Sequence, residues 1–144
     1  MLTQGTARKA IQKNLAKEIG DSLLYLHGNV EPKLKFWDEV NDFPFVSIVC
    51  TNEVREYLPG SFEWGFVTTN IRVYVKSEDE PIDDLEVILV DIEKILRDKA
   101  GSLPIFTDGC TTTDIRIISI DTDGGLPAPQ GAGEIVAVAQ YQVN

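Results

Sequence analysis

The chain has 144 residues, of which 43% are hydrophobic and 25% charged, the length and composition of one globular domain able to bury its own core. No apolar run approaches the roughly 20 residues needed to cross a bilayer. The start, Met1-Leu2-Thr3-Gln4-Gly5, lacks the basic-then-apolar order of a signal peptide, so the expectation is a soluble intracellular product. The net charge of −10 is unevenly spread: residues 1–35 hold six basic and three acidic residues, the remainder seven basic and twenty acidic. So acidic a body argues against gripping nucleic acid, which draws on clustered Lys and Arg. It suits a surface that DNA passes without sticking, or one whose charge only keeps the protein soluble.

In chain order, Ala7, Ile11, Leu15 and Ile19 repeat every four residues, with Ala10 and Leu23 beside them. That stripe predicts a first helix over 6–26, with Thr6 as its N-cap and His27-Gly28-Asn29 as its stop. Arg8, Lys9, Lys13 and Lys17 fall outside the stripe and give the helix a basic outer face. Residues 29–43 read as an irregular connection. Phe45–Cys50 reads as a short strand, and 51–60 as a connection closed by the turn signal Leu58-Pro59-Gly60.

From about Ser61 to Lys76, Val67, Thr69, Ile71, Val73 and Val75 alternate with polar partners, the pattern of an antiparallel strand with one wet face. Phe62, Trp64 and Phe66 stand on the opposite parity, so a bulge near Gly65 is expected to switch the faces. A second helix is predicted over 81–99. Pro81 suits its first position. Acids in its first turns and Lys94, Arg97 and Lys99 in its last complement the helix dipole. Ile82, Leu85, Ile88, Leu89, Ile92, Ile95 and Leu96 form its core stripe. Two strands follow, over 111–121 and 134–143. The loop 122–133 between them is long for a hairpin, and such loops are usually functional or disordered. The order α-β-β-α-β-β is an α+β fold, with two helices on one face of a mostly antiparallel sheet, expected to form one domain over 1–144.

Chemistry is hard to find. His27 is the one histidine, at a helix end where its charged form would favour the dipole. One imidazole supports neither a zinc set nor a second catalytic base, and no serine sits in a nucleophile elbow. Gly131-Ala132-Gly133 lacks the third glycine of a dinucleotide fingerprint. Asp121-Thr122-Asp123-Gly124 begins like a calcium loop but places Ala132 where glutamate is required, so a turn is the better reading. Asp108, Asp114, Asp121 and Asp123 show no spacing that calls for a metal. Cys50 and Cys110 are 60 positions apart and read as inert, buried thiols. Tyr57, Phe62, Trp64 and Phe66 lie among Glu53, Glu56 and Glu63 with only Arg55 positive. That setting disfavours stacking on nucleic acid and points to core packing or a protein contact. The expectation is no enzyme, no cofactor and no metal.

Two stretches carry a resemblance. Asn70-Ile71-Arg72-Val73-Tyr74-Val75-Lys76 runs into Leu85-Glu86-Val87-Ile88-Leu89-Val90-Asp91-Ile92. The close runs from Ile117-Ile118-Ser119-Ile120-Asp121-Thr122-Asp123-Gly124-Gly125 to Ala137-Val138-Ala139-Gln140-Tyr141-Gln142-Val143. With the basic first helix, this layout resembles the tail-terminator proteins of long-tailed bacteriophages over nearly the whole chain. The resemblance implies a virion protein of the tail and neck, assembled in the host cytoplasm. It implies a ring, commonly of six copies, that stops growth of the tail tube and meets head-completion proteins while DNA passes through. No motif assigns the ring contacts. The apolar Leu126, Pro127 and Pro129 in the long loop are candidate contact residues, and the Tyr57, Leu58 and Trp64 segment is a second candidate. Two alternatives stay open: another neck or head-closure protein, and a small α+β binding module unrelated to phage.

Overall fold

The structure, a computed structural model, describes residues 6–76, 81–105, 109–123 and 130–143. The first helix, α1, spans Ala7–Ser22, and Thr6 caps it by accepting the Lys9 N–H at 3.2 Å. It is shorter than its apolar stripe predicts. Leu23 closes the α-helix, a short 3-10 turn occupies Leu24–Leu26, and His27 and Gly28 then reverse the chain at φ of 50° and 78°. Inside the segment read as irregular lies a two-residue strand, β1 (Val30–Glu31), pairing in parallel with the start of β2 (Phe45–Leu58).

β2 is 14 residues long. The predicted connection over 51–60 is therefore mostly strand, and only Pro59, Gly60 and Ser61 turn the chain into β3 (Phe62–Lys76). The expected bulge at Gly65 is absent. Gly65 pairs in register with Arg55 and Tyr141, and the irregularity sits in β2 at Thr51. β3 keeps one parity throughout: Gly65, Val67, Thr69, Ile71, Val73 and Val75 are all buried on the helix side. Gly65 needs no bulge because it gives space instead. The ring of Tyr141 lies across it, and a Cβ there would fall 2.7 Å from Tyr141 Cζ.

The second helix, α2, spans Pro81–Asp98 and buries Leu85, Ile88, Leu89, Ile92 and Leu96. Buried Thr112 fastens its exit, donating to the Ala100 carbonyl at 2.9 Å and accepting the Leu103 N–H at 3.2 Å. The last two strands are β4 (Asp114–Asp123), with an irregularity at Ile118, and β5 (Gln130–Val143). The predicted loop 122–133 is thus shorter, because Thr122 pairs with Gly133 and Asp123 with Ala132. Gly133 is glycine for a packing reason: a Cβ would lie 3.1 Å from Leu89 Cδ1 and 3.2 Å from Leu85 Cδ1. The α+β architecture read from the sequence holds.

The strand order is β1-β2-β3-β5-β4, antiparallel except for β1. α1 lies over β1 and β2, and α2 over β3, β5 and β4. Their apolar stripes meet Ile48, Val67, Ile71, Val73, Ile135, Ala137 and Ala139 in one core. Both helices cover the same face. Among the described residues, no α-helix covers the opposite face; at its β2 end the segment before β2, with a 3-10 turn at Trp37–Glu39, packs Val40 against Phe45 and Tyr74 in a second small core.

Candidate assembly surface

Charged and polar residues in the second half of β2 read as loop, yet they build a two-stranded arm with β3. Leu58 pairs with Phe62 across the turn. Gly60 and Ser61 both take positive φ, 86° and 67°, which glycine accepts freely and serine only with a tight turn to hold it. At this tip the side chains are apolar and wet. Tyr57 is 74% exposed, Phe62 52% and Leu58 41%. Single exposed apolar residues are ordinary, but a contiguous group marks a binding surface.

A buried carboxylate anchors the base of the arm. The Glu53 side chain is 4% exposed and accepts from Arg8 Nη1 at 3.1 Å, from Tyr141 Oη at 2.9 Å and from Arg55 Nε. Arg55 also donates to Glu63 Oε2 at 2.7 Å. Hydrogen bonds to Glu63 and then Glu53 push the Arg55 guanidinium above its ordinary range. Burial, and then the bond to Glu53, push the Tyr141 hydroxyl up to about 12. A buried charge is tolerated only when paired and hydrogen-bonded, and Glu53 meets that condition. The network ties the start of α1 to the arm and to β5, so it fixes where the tip points.

Of the residues predicted as contacts, Tyr57 and Leu58 stand exposed at the tip. Trp64 is half-buried opposite Glu56. Phe66 and Trp64 share the face away from α1 and α2 with half-buried Val136 and Val138, so these aromatics do not enter the main core. Leu126, Pro127 and Pro129 lie outside the described residues. Sequence reading sets Phe62 among aromatics that pack in the core or meet a protein, and the structure exposes it at the tip. Sequence reading misses Glu53, whose burial no local pattern announces.

Two hollows remain. One, of about 490 Å³, lies over Arg72, Tyr74, Asp121, Ala132 and Glu134, with Arg72 and Glu134 already paired at 2.8 Å. The other, of about 290 Å³, is lined by Tyr25, Pro44, Val75, Lys76, Asp84, Val87 and Ile88. Neither places a nucleophile beside a base. His27 is exposed in its turn. Burial pushes the Cys50 thiol up, the reverse of what an activated nucleophile requires. Cys50 and Cys110 are only half-buried. Among the described residues, no three His, Cys, Asp or Glu side chains gather to hold a metal, and no helix is long and apolar enough to cross a membrane.

The features that stand out are contact features: an anchored arm and an apolar tip. They define a structural module of an assembly. Residues 3–144 match the family model of the bacteriophage tail tube terminator protein. A curated relative, the tail tube terminator protein p142 of Escherichia phage T5, is 34% identical over 124 residues, covering 81% of this chain and 76% of that protein. The chain belongs to the bacteriophage tail tube terminator family, whose members are structural phage proteins and not enzymes. The fold recurs in a chain of the virion of a native gene transfer agent particle. That likeness has a TM-score of 0.68 and 10% identity, covering 93% of this chain and 96% of the other.

Proposed function

We propose that this protein sits at the end of a phage tail tube as a closed ring of its own copies, about six, and stops further addition of tube subunits. Its partners are then itself, the tube protein and a neck or head-completion protein seated on the opposite face. DNA passes through the ring without specific binding. The observation that carries this reading is the family membership, which spans nearly the whole chain. The surface supports it. Among the described residues, no α-helix covers one sheet face, and the arm presents three apolar side chains to solvent. Charge supports it as well, because the acidic excess beyond residue 35 repels a polyanion moving past.

Tyr57, Leu58 and Trp64 are the contact residues of this proposal, Leu58 and Trp64 on one face of the arm and Tyr57 on the other. Leu126, Pro127 and Pro129 stay in it as candidates from the sequence. Native mass spectrometry across a concentration series, at low and moderate salt, tests the ring. The expected result is a closed species near six copies, or a monomer in equilibrium with it. A tight dimer that never grows, and that does not bind tube ends, would overturn it.

A further inference from the structure

The two helices carry their charges in opposite senses. α2 opens on Asp83 and Asp84 and ends on Arg97 in its last turn, the order that the helix dipole favours. α1 has no acid in its first turn and no base in its last. Arg8 and Lys9 stand at its positive end instead, and Asp21 near its negative end. Lys9, Lys13 and Lys17 then follow one another every four residues, the spacing at which like charges on a helix repel. All three are exposed, each two positions beyond buried Ala7, Ile11 and Leu15. Two positions turn the chain by about 200°, so the row points away from the core. Among the described residues these lysines have no ion pair, whereas neighbouring Arg8 holds Glu53 at 3.1 Å and Glu18 holds Lys99 at 3.8 Å. On α2, Asp83 and Glu86 are likewise exposed and without an ion pair among the described residues. One turn beyond them stand Val87 and Val90, 58% and 49% exposed.

We infer that the Lys9, Lys13 and Lys17 row of one copy lies against Asp83 and Glu86 of a second copy, α1 beside α2. Each chain has a net charge of −10, so copies repel unless their contact joins surfaces of opposite sign. Beyond residue 35 acids outnumber bases by twenty to seven, and the outer face of α1 is the positive surface that can meet them. Topology supplies the geometry. α1 covers the β1 and β2 side of the sheet and α2 the β3, β5 and β4 side, both on one face. Copies set side by side with their helices in one layer therefore bring α1 of each against α2 of the next. Such a contact joins two different surfaces, so it runs head to tail and closes into a ring when the rotation per step allows. Exposed ion pairs contribute little singly. Here the lysine stems lie over Val87 and Val90 while their ammonium groups reach the acids. This inference rests on the ring reading and names the surfaces that form it.

The test uses two full-length charge reversals at exposed positions. One variant combines Lys9→Glu, Lys13→Glu and Lys17→Glu, and the other Asp83→Lys and Glu86→Lys. Both are expected to unfold as cooperatively as the parent. In native mass spectrometry at low salt, each alone is expected to need roughly tenfold or more protein than the parent to assemble. Mixed one to one, they are expected to assemble as the parent does, in even-numbered mixed species. The acidic α1 of one then meets the basic α2 of the other, and the reverse holds at the next contact. Moderate salt is expected to weaken the parent's assembly, because exposed charges are screened. If the parent forms rings and both variants match it, the contact is wrong while the ring stands. Loss of assembly in both with no rescue on mixing would also overturn the contact. A lysine variant that assembles normally but no longer binds tube ends would assign the row to the tube protein instead. One that assembles normally but loses a retention of duplex DNA seen in the parent would assign it to phosphates. A parent that assembles neither alone nor on tube ends would sink the contact and the ring together.

Discussion

Replacing Gly65 by alanine tests the packing that anchors the arm. The added Cβ would fall 2.7 Å from Tyr141 Cζ and 3.0 Å from Cδ1, inside the shortest distances such carbons reach. The ring has nowhere easy to go, since Tyr141 is 3% exposed and its hydroxyl is held by Glu53. Forcing one extra carbon into a packed site costs about 1–3 kcal/mol. Stretching a hydrogen bond to a charged acceptor adds a share of the roughly 1.5–3 kcal/mol such bonds contribute. Against this stands a gain of about 0.5–1 kcal/mol from replacing glycine inside a strand. The balance is a loss of about 1–4 kcal/mol, or a fall in Tm of roughly 3–15 °C for a domain of this size. Thermal unfolding by circular dichroism reads it. Gly65→Ala combined with Tyr141→Leu should lose less than the two single changes together, because the second change removes the clashing ring. A Gly65→Ala protein that melts with the parent would refute the reasoning.

Three further outcomes follow from the same geometry. Glu53→Leu leaves the Tyr141 hydroxyl without its acceptor in a buried site, a cost of about 1–3 kcal/mol. The two guanidinium groups, each more than a third exposed, can return to water, so denaturant unfolding should show a loss in that range and no more. Thr6→Ala removes the cap of α1 and should cost about 1 kcal/mol; an unchanged urea midpoint would contradict the cap. The raised Tyr141 pKa makes an alkaline prediction. In the unfolded chain a tyrosine ionises near pH 10, while the folded hydroxyl holds its proton to about 12. Its contribution is therefore whole below pH 10 and is lost as pH rises towards 12. Tyr141→Phe should flatten the stability profile in that window, and equal slopes in parent and variant would contradict the assignment.

Much of this fold is legible because its elements bury one face each. The stripe from Leu85 to Leu96 and the alternation from Val67 to Val75 state which side meets the core. Legibility stops where burial stops. Asn52 to Leu58 extends past the core and is wet on nearly every side chain, so no alternation is written there and a strand reads as a loop. Gly131-Ala132-Gly133 reads as part of the long loop for the opposite reason: Gly133 lies so close under Leu85 and Leu89 that even a Cβ would crowd them. β1 is two residues long, too short to carry a period.

The assembly surface shows the same division. Tyr57 and Leu58 stand out as apolar residues among charges, which is visible in sequence. Trp64 is near them in the chain, but strand pairing places it opposite Glu56, two residues in from the tip residue Phe62. The smaller hollow draws Tyr25, Pro44, Val75 and Val87 from four separate segments, and only the folded chain brings them together.

The central claim, that this chain ends a tail tube, is tested most directly by growing tubes from purified tail tube protein with and without it and measuring tube lengths by electron microscopy. The account predicts short tubes whose mean length falls as more of the chain is added, with a ring-shaped density at one end. Tubes of unchanged length, with the chain free in solution or bound along their sides, would contradict it.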